Sequence, residues 1–322
     1  LLGVSHGSVS VPYKETIGII AGNVTGNLFE TTSPESFNLI IWELRFPRVL
    51  SAGIVGASLA LSGATFQGLF RNPLADPYLI GAAGGAGLGA TIVMVSDIPV
   101  QVSFINTAAL AAFLGSLVTV SLAYSLARVN GGVPTDTLIL AGVALASLTG
   151  AITTLLMLQG TTDVRPVFSW LLGGFSQANW NSALLPIPYL LIGSTIILIY
   201  GRILNILQLD EEQTIQMGIN PDQVKIILVG SSSLITAAAV ATGGLIGFVG
   251  LIGPHTVRLL WGPDHRSLLP LSMSIGAAFL ILADLVARIS VSPSELPVGV
   301  ITAFTGVPFF LYLLRKSHSH GH

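Results

Sequence analysis

The chain has 322 residues, of which 52% are hydrophobic and 9% charged, and its formal net charge is −2. Soluble domains carry about 25% charged residues, so this chain cannot coat itself with a polar surface, and its charge gives no basis for nucleic-acid binding. It contains no cysteine, which excludes a disulfide framework, a thiol nucleophile and a cysteine metal site.

Apolar runs recur along the whole length and read as one polytopic membrane domain over 1–322, an all-α bundle. A span needs about 20 apolar residues to cross the hydrocarbon. The opening Leu1-Leu2-Gly3-Val4-Ser5 reads as the end of an earlier span, and the short, semi-polar Val11 to Thr25 as a segment at the membrane surface. Nine spans are then expected at 47–70, 78–95, 105–127, 136–158, 181–201, 225–242, 246–261, 268–288 and 297–314. With the earlier one, the whole protein is expected to have ten. The most telling run is Arg45 to Gly81, an apolar helix with Arg45 and Arg48 at one end and Arg71-Asn72-Pro73 at the other. The 36 glycines suit close helix–helix approach in lipid.

Alternating the nine spans places Arg71, Arg128, Arg202, Lys225, Arg258, Arg266, Arg315 and Lys316 on one side. The other side receives Lys14, Arg45, Arg48, Arg165 and Arg288, eight against five. Basic residues accumulate on the cytoplasmic side, so the first side, and with it the C-terminus, is expected to be cytoplasmic.

Two connections are long. The cytoplasmic one, 202–224, is acidic at Asp210, Glu211, Glu212 and Asp222 and has helical apolar periodicity from Ile203 to Met217, broken by Gly218 and Pro221. Two short surface helices fit it, either as an ordinary polar loop or as a docking platform. The outer one, Gln159 to Trp180, holds Phe168-Ser169-Trp170-Leu171-Leu172, too short to span. A re-entrant or surface helix is expected there, with Trp170 and Trp180 as interface anchors.

An ionisable residue at membrane depth is a functional hypothesis. Asp284 and Arg288 stand four apart on one helix face. One reading is an internal ion pair at the outer end. The other is that Arg288 joins Arg45 and Arg48 around an outer mouth that attracts carboxylates. Gly253-Pro254 is expected to break its helix, with His255 hydrogen-bonded nearby. No second ligand accompanies His255, so no metal site is expected. His318, His320 and His322 read as a polar tail. Gly63 to Leu69 faintly echoes Gly244 to Leu251, as internal repeats of transporters do. No P-loop, GxSxG or HExxH occurs. The chain itself is therefore not expected to be an enzyme, and pumping would need a separate ATPase.

These residues resemble the permease family of ABC importers for iron–siderophore, haem and vitamin B12. The likeness runs through Arg45-Phe46-Pro47-Arg48, Gly63-Ala64-Thr65-Phe66-Gln67-Gly68 and Arg71-Asn72-Pro73-Leu74-Ala75-Asp76-Pro77. It continues through Leu140 to Val143, Trp170 to Gly174 and Gly247 to His255. It ends with Leu282-Ala283-Asp284, Arg288, Glu295 to Gly299 and Gly306 to Phe309.

The resemblance implies a ten-span permease fold in a bacterial or archaeal cytoplasmic membrane. It implies a permease homodimer, two ATPase subunits that hold ATP and Mg, and an extracytoplasmic binding protein. No cofactor is implied on this chain. Arg45, Arg48 and Arg288 match arginines that meet the binding protein. Asn72 and Leu74 match one cytoplasmic gate, and Thr135 with Asp136 a second. The segment Asn205 to Gly218, with Leu207, Asp210, Glu211 and Glu212, matches the helices that couple to the ATPase. It departs from the family pattern at Asp210 and at Thr214 to Gly218, where a glycine and an alanine-rich turn are usual. The implied activity is import of a metal chelate, iron–siderophore or haem, by alternating access, with cobalamin as the alternative. An ion-coupled transporter would need an unpaired acid at mid-membrane, for which Asp284 is the one good candidate.

Overall fold

The computed structural model describes residues 1–7, 11–25, 34–96, 98–102, 105–129, 132–159, 163–209, 211–291 and 294–319. Short helices α1 (Leu2–Ser5), α2 (Tyr13–Val24) and α3 (Glu35–Asn38) precede a π-helical segment, Leu39–Arg45, and α4 (Phe46–Leu69). A 3-10 turn, Pro77–Ile80, leads into α5 (Ala82–Val95). The hairpin β1 (Gln101–Val102) and β2 (Ile105–Asn106) pairs Gln101 with Asn106 and opens α6 (Thr107–Leu126). There follow α7 (Thr135–Gln159), α8 (Arg165–Leu171), α9 (Trp180–Leu184), α10 (Ile187–Ile199), α11 (Gly201–Ile206) and α12 (Glu211–Gln216). The chain closes with α13 (Pro221–Gly243), α14 (Val249–Trp261), α15 (His265–Ile289) and α16 (Val298–Ser319).

Among the described residues, six helices are long and apolar enough to cross a membrane: 35–69, 107–126, 135–159, 180–199, 221–243 and 265–289. Each of the nine expected spans falls on helix, with α5, α14 and α16 supplying the other three. The helices alternate in direction. One end of the bundle gathers Arg48 and Asp284 (the cluster end) and the other gathers Arg71 and Asp264 (the coupling end).

The span expected at 47–70 begins twelve residues earlier, at Glu35. Pro47 has no N–H to donate within the helix. The turn before it widens into a π segment, in which the Phe46 N–H reaches the Ile41 carbonyl. Arg45 and Arg48 therefore sit inside a long helix and not at its mouth. Pro254, expected to break its helix, lies within α14 instead. Its missing N–H would have met the carbonyl of Gly250, and the Gln67 Nε2 donates to that oxygen at 2.9 Å.

Helix α4 is the axis of the bundle, 83% buried over its apolar window against 22% for α7. It packs on α13, α14 and α15 through small residues. A Cβ on Gly63 would stand 2.0 Å from the Gly250 carbonyl oxygen, and one on Gly56 would stand 2.3 Å from that of Gly276. The two segments of the faint repeat thus touch at Gly63 and Gly250. Polar side chains fasten the same seam. Ser62 donates to the Ser232 carbonyl at 3.0 Å, and Thr236 donates to the Ser62 Oγ at 2.9 Å.

Candidate functional sites at the two ends of the bundle

At the cluster end, Asp284 is fully buried on α15. Arg48, one turn into α4, faces it: the Arg48 Nε lies 2.9 Å from Asp284 Oδ1 and 3.2 Å from Oδ2. Its Nη1 donates to both oxygens of Glu295, at 3.0 and 2.8 Å. The Nε of Arg288, a turn along α15 from Asp284, is 3.1 Å from Asp284 Oδ2, an ion pair without hydrogen-bond alignment. The Arg288 Nη2 donates to the Gly3 carbonyl at 2.7 Å. Two guanidinium and two carboxylate groups thus neutralise one another. Charges at this depth persist only when paired in this way. Arg45 donates to the carbonyls of Val4 and Ser5 at 3.1 and 3.0 Å.

Of the two readings, this geometry shows the internal pairing. Arg45, Arg48 and Arg288 are 6%, 8% and 7% exposed, and they bind α1, α4 and α15 together. The internal pairing of Asp284 with Arg288 is present, with Arg48 as its second partner. A cavity of about 1010 Å³ opens beside the cluster, lined by Arg48, Glu295, Asp163, Arg165, Trp170 and Gln177 among others. On its rim the Arg165 guanidinium donates to Asp163 and holds that carboxyl below its ordinary range. Trp180 packs at a tilt against Trp42 and Phe46, with ring centroids 4.7 and 5.5 Å away. Trp170 instead packs inward against the cluster of Ala86, Ala90, Ala112 and Val240.

At the coupling end, Arg71 leaves α4 in the left-handed region, at φ 50°. That bend is unusual for a side-chain-bearing residue. It turns the guanidinium onto the segment after α11: Nε donates to the Leu207 carbonyl at 2.7 Å, and Nη2 to that of Leu209. Gln208 answers by donating to the Gly68 carbonyl at 2.8 Å. The next residue of the loop, Asn72, accepts from the Leu74 N–H at 2.9 Å, which fixes the turn that exposes Asn72 and Leu74. Asn205 donates to Asp264 Oδ1 at 2.7 Å and accepts from the His265 N–H at 2.9 Å. Asp264 caps α15, and the Arg266 guanidinium holds its carboxyl well below the usual aspartate range.

Of the residues expected to couple, Asn205 faces Asp264 and Leu207 is 5% exposed. They fasten the segment to the bundle and do not project from it. Asp210 lies outside the described residues, as do the side chains of Glu211 and Glu212 on α12. Gly218 ends this segment at φ 78°, a left-handed turn that suits glycine. Among the described side chains, Leu209, Ile215 and Met217 are 39%, 58% and 57% exposed, alongside exposed Gln208, Gln213 and Gln216. Thr135 opens α7 and shares a cleft of about 180 Å³ with Arg71, Leu207, Thr214 and Lys225. Asp136, exposed in the first turn of α7, suits the positive end of that helix. The structure thus brings Thr135 and Leu207 into one cleft, beside the loop of Asn72 and Leu74. Arg71, Gln208, Asp264 and Glu295 carry contacts that the sequence reading assigned to none of them. Only Arg71 had a local signal, its place beside Asn72-Pro73 at the end of an apolar helix.

Comparison with known proteins agrees with this architecture. The FecCD transport family matches residues 1–316. The cobalamin import system permease protein BtuC of Halobacterium salinarum is 45% identical over 88% of this chain and 75% of its own length. The hemin transport system permease protein HmuU of Yersinia pestis is 39% identical over 90% of this chain and 87% of its own. A solved structure, described as a metal-chelate type ABC transporter in an inward-facing conformation, superposes with a TM-score of 0.81 at 32% identity. It covers 94% of this chain, which covers 98% of it. The chain belongs to the FecCD transport family and is a multi-pass membrane permease of an ABC transport system.

Proposed function

We propose that this permease imports a bulky metal chelate by alternating access, driven by ATPase subunits that dock on its coupling end. The observation that carries this reading is the pair of bonds from Arg71 to the Leu207 and Leu209 carbonyls. They join the loop of Asn72 and Leu74 to the segment whose apolar side chains Leu209, Ile215 and Met217 await a partner. A push on that segment reaches the loop without passing through solvent. The coupling end is then cytoplasmic, and the C-terminus with it. Energy comes from ATP and Mg held by the partner subunits, and this chain acts as a conduit and not as an enzyme.

The cluster end faces outward and receives the binding protein. Glu295 is its exchangeable member, with a side chain 40% exposed. A carboxylate of the binding protein would replace Glu295 on Arg48 during docking, which reconciles a buried arginine with a docking role. A second copy of the chain completes the pathway. The apolar face of α7, with Leu140, Ser147, Leu148, Thr154 and Leu155 exposed, is the surface on which it would pack.

The cargo is an iron–siderophore, haem or cobalamin. Cobalamin has a specific observation in its favour, the 45% identity to a permease named for it. Haem has the 39% identity to a hemin permease. The deciding experiment places the permease with its ATPase and binding protein in proteoliposomes and offers cobalamin, haemin and a ferric siderophore separately. ATP-dependent uptake of one of the three is expected. Uptake of any of them by the permease without an ATPase would overturn the reading in favour of a secondary transporter.

A further inference from the structure

Arg258 has no role in either end described above. It sits in the last full turn of α14, its Nη1 is sealed from solvent, and none of its nitrogens has a hydrogen-bond acceptor among the described residues. No described carboxylate acts on it. One turn earlier on the same face, His255 stands edge-on to Phe309 of α16, with ring centroids 5.6 Å apart. Its Nε2 is likewise buried without a partner. Both residues are half-buried, and a guanidinium nitrogen sealed from water without an acceptor is costly. The buried arginines Arg45, Arg48 and Arg288 all have carbonyl or carboxylate partners. The neighbours show where this pair lies. Leu259, Leu260 and Trp261 follow directly and are 61%, 65% and 54% exposed. A tryptophan ending an apolar helix marks the level of lipid headgroups.

We propose that Arg258 and His255 form a binding site for the phosphate of an anionic phospholipid in the leaflet at the coupling end. The guanidinium edge of Nε and Nη2, the nitrogens that are not sealed, supplies a bidentate pair of donors to phosphate oxygens, and the His255 ring packs behind it. The acyl chains lie along Leu259, Leu260 and the outer face of α16. Basic pockets between membrane helices take headgroups in this way. Here the lipid would lie against the contact of His255 with Phe309 and fix how α16 leans on α14.

The test uses the full-length permease in nanodiscs of phosphatidylcholine, doped with brominated phosphatidylglycerol or brominated phosphatidylcholine. Quenching of Trp261 emission is read as the difference between the wild type and Trp261→Phe. The brominated anionic lipid is expected to half-quench at about fivefold lower mole fraction than the zwitterionic one, the effect of one basic side chain at a headgroup. Arg258→Gln should bring that ratio to one, and Arg258→Lys should keep most of it. A ratio of one in the wild type, or an unchanged ratio in Arg258→Gln, overturns the site. Should Arg258→Gln fail to fold, His255→Phe reads the same ratio, and a value identical to wild type there overturns the two-residue site. Excess inorganic phosphate should leave the preference intact; if it abolishes the preference, the occupant is free phosphate and the lipid assignment falls.

Discussion

Arg48 and Asp284 stand 236 residues apart in the chain, yet the Arg48 guanidinium places Nε and Nη2 each 2.9 Å from Asp284 Oδ1, across the seam between α4 and α15. The carboxylate is fully buried and serves two arginines. Asp284→Ala would leave both cations without their shared anion, and the loss is expected at about 3–5 kcal/mol. Glu295, partly exposed, shares Arg48 but is screened by water, so Glu295→Gln should cost less than about 1 kcal/mol. Thermal unfolding of the two variants in one detergent compares them. Equal losses would show that Asp284 is not the hub.

Gly63 and Gly250 make the other close seam. A methyl group on Gly63 meets a backbone oxygen at 2.0 Å, and a backbone atom cannot swing aside as a flexible side-chain end can. Gly63→Ala must therefore push α14 from α4 and stretch the bond from Gln67 to Gly250, at an expected cost of about 1–3 kcal/mol. Gly230, on α13, has open space at its Cβ position. Gly230→Ala should stay within about 0.5 kcal/mol of wild type. The pair of melting curves separates close packing from a general aversion to a side chain.

Arg71 links loop to coupling segment, so its removal should uncouple more than it unfolds. Arg71→Ala frees the carbonyls of Leu207 and Leu209 at an exposed end of the bundle, where water can reach them. Each charge-assisted bond lost is worth about 1.5–3 kcal/mol of connection between the two parts. In proteoliposomes with the ATPase and binding protein, uptake per ATP hydrolysed should drop by about tenfold or more. Arg71→Lys, which keeps the charge but not the fork, should fall between. Wild-type stoichiometry in Arg71→Ala would remove this link from the mechanism.

The helices were legible in the sequence because apolar length is a local property, and all nine expected segments are helical. The start of the α4 span was not legible. Glu43, Arg45 and Pro47 interrupt the apolar run and make 47 look like its start, whereas Trp42 and Phe46 pack together and against Trp180 within the bundle. Arg288 found Asp284 from its spacing of four, but Arg48 could not, since nothing local ties it to a residue 236 positions on. The same limit hid the partners of Asn205 and Gln208. A polar residue in an amphipathic loop reads as outward-facing until the bundle beneath it is known. Pro254 misled for a related reason. Its helix survives because a side chain from α4 takes the carbonyl it leaves free.

Asp264 gives the coupling end a defined pH range. It bonds Arg266 and Asn205 and caps α15. The arginine bond, first among these, places its folded-state pKa below that of the unfolded chain, about 3.9. A carboxylate depressed in this way contributes its full stabilisation above the unfolded pKa and loses it as pH falls through the folded value. The contacts of Asn205 should therefore be constant between about pH 5 and 8, and fail only below about pH 4. Hydrogen-exchange protection of amides 204–209, corrected for intrinsic rate, measures this directly. Asp264→Asn should weaken the acid dependence while leaving an amide oxygen able to cap the helix; the His265 ring, with Nδ1 2.8 Å from Asn205 Oδ1, remains on the same amide. Protection that already declines between about pH 6 and 5 would assign the transition to a different group, because a carboxylate held low by Arg266 stays charged throughout that interval.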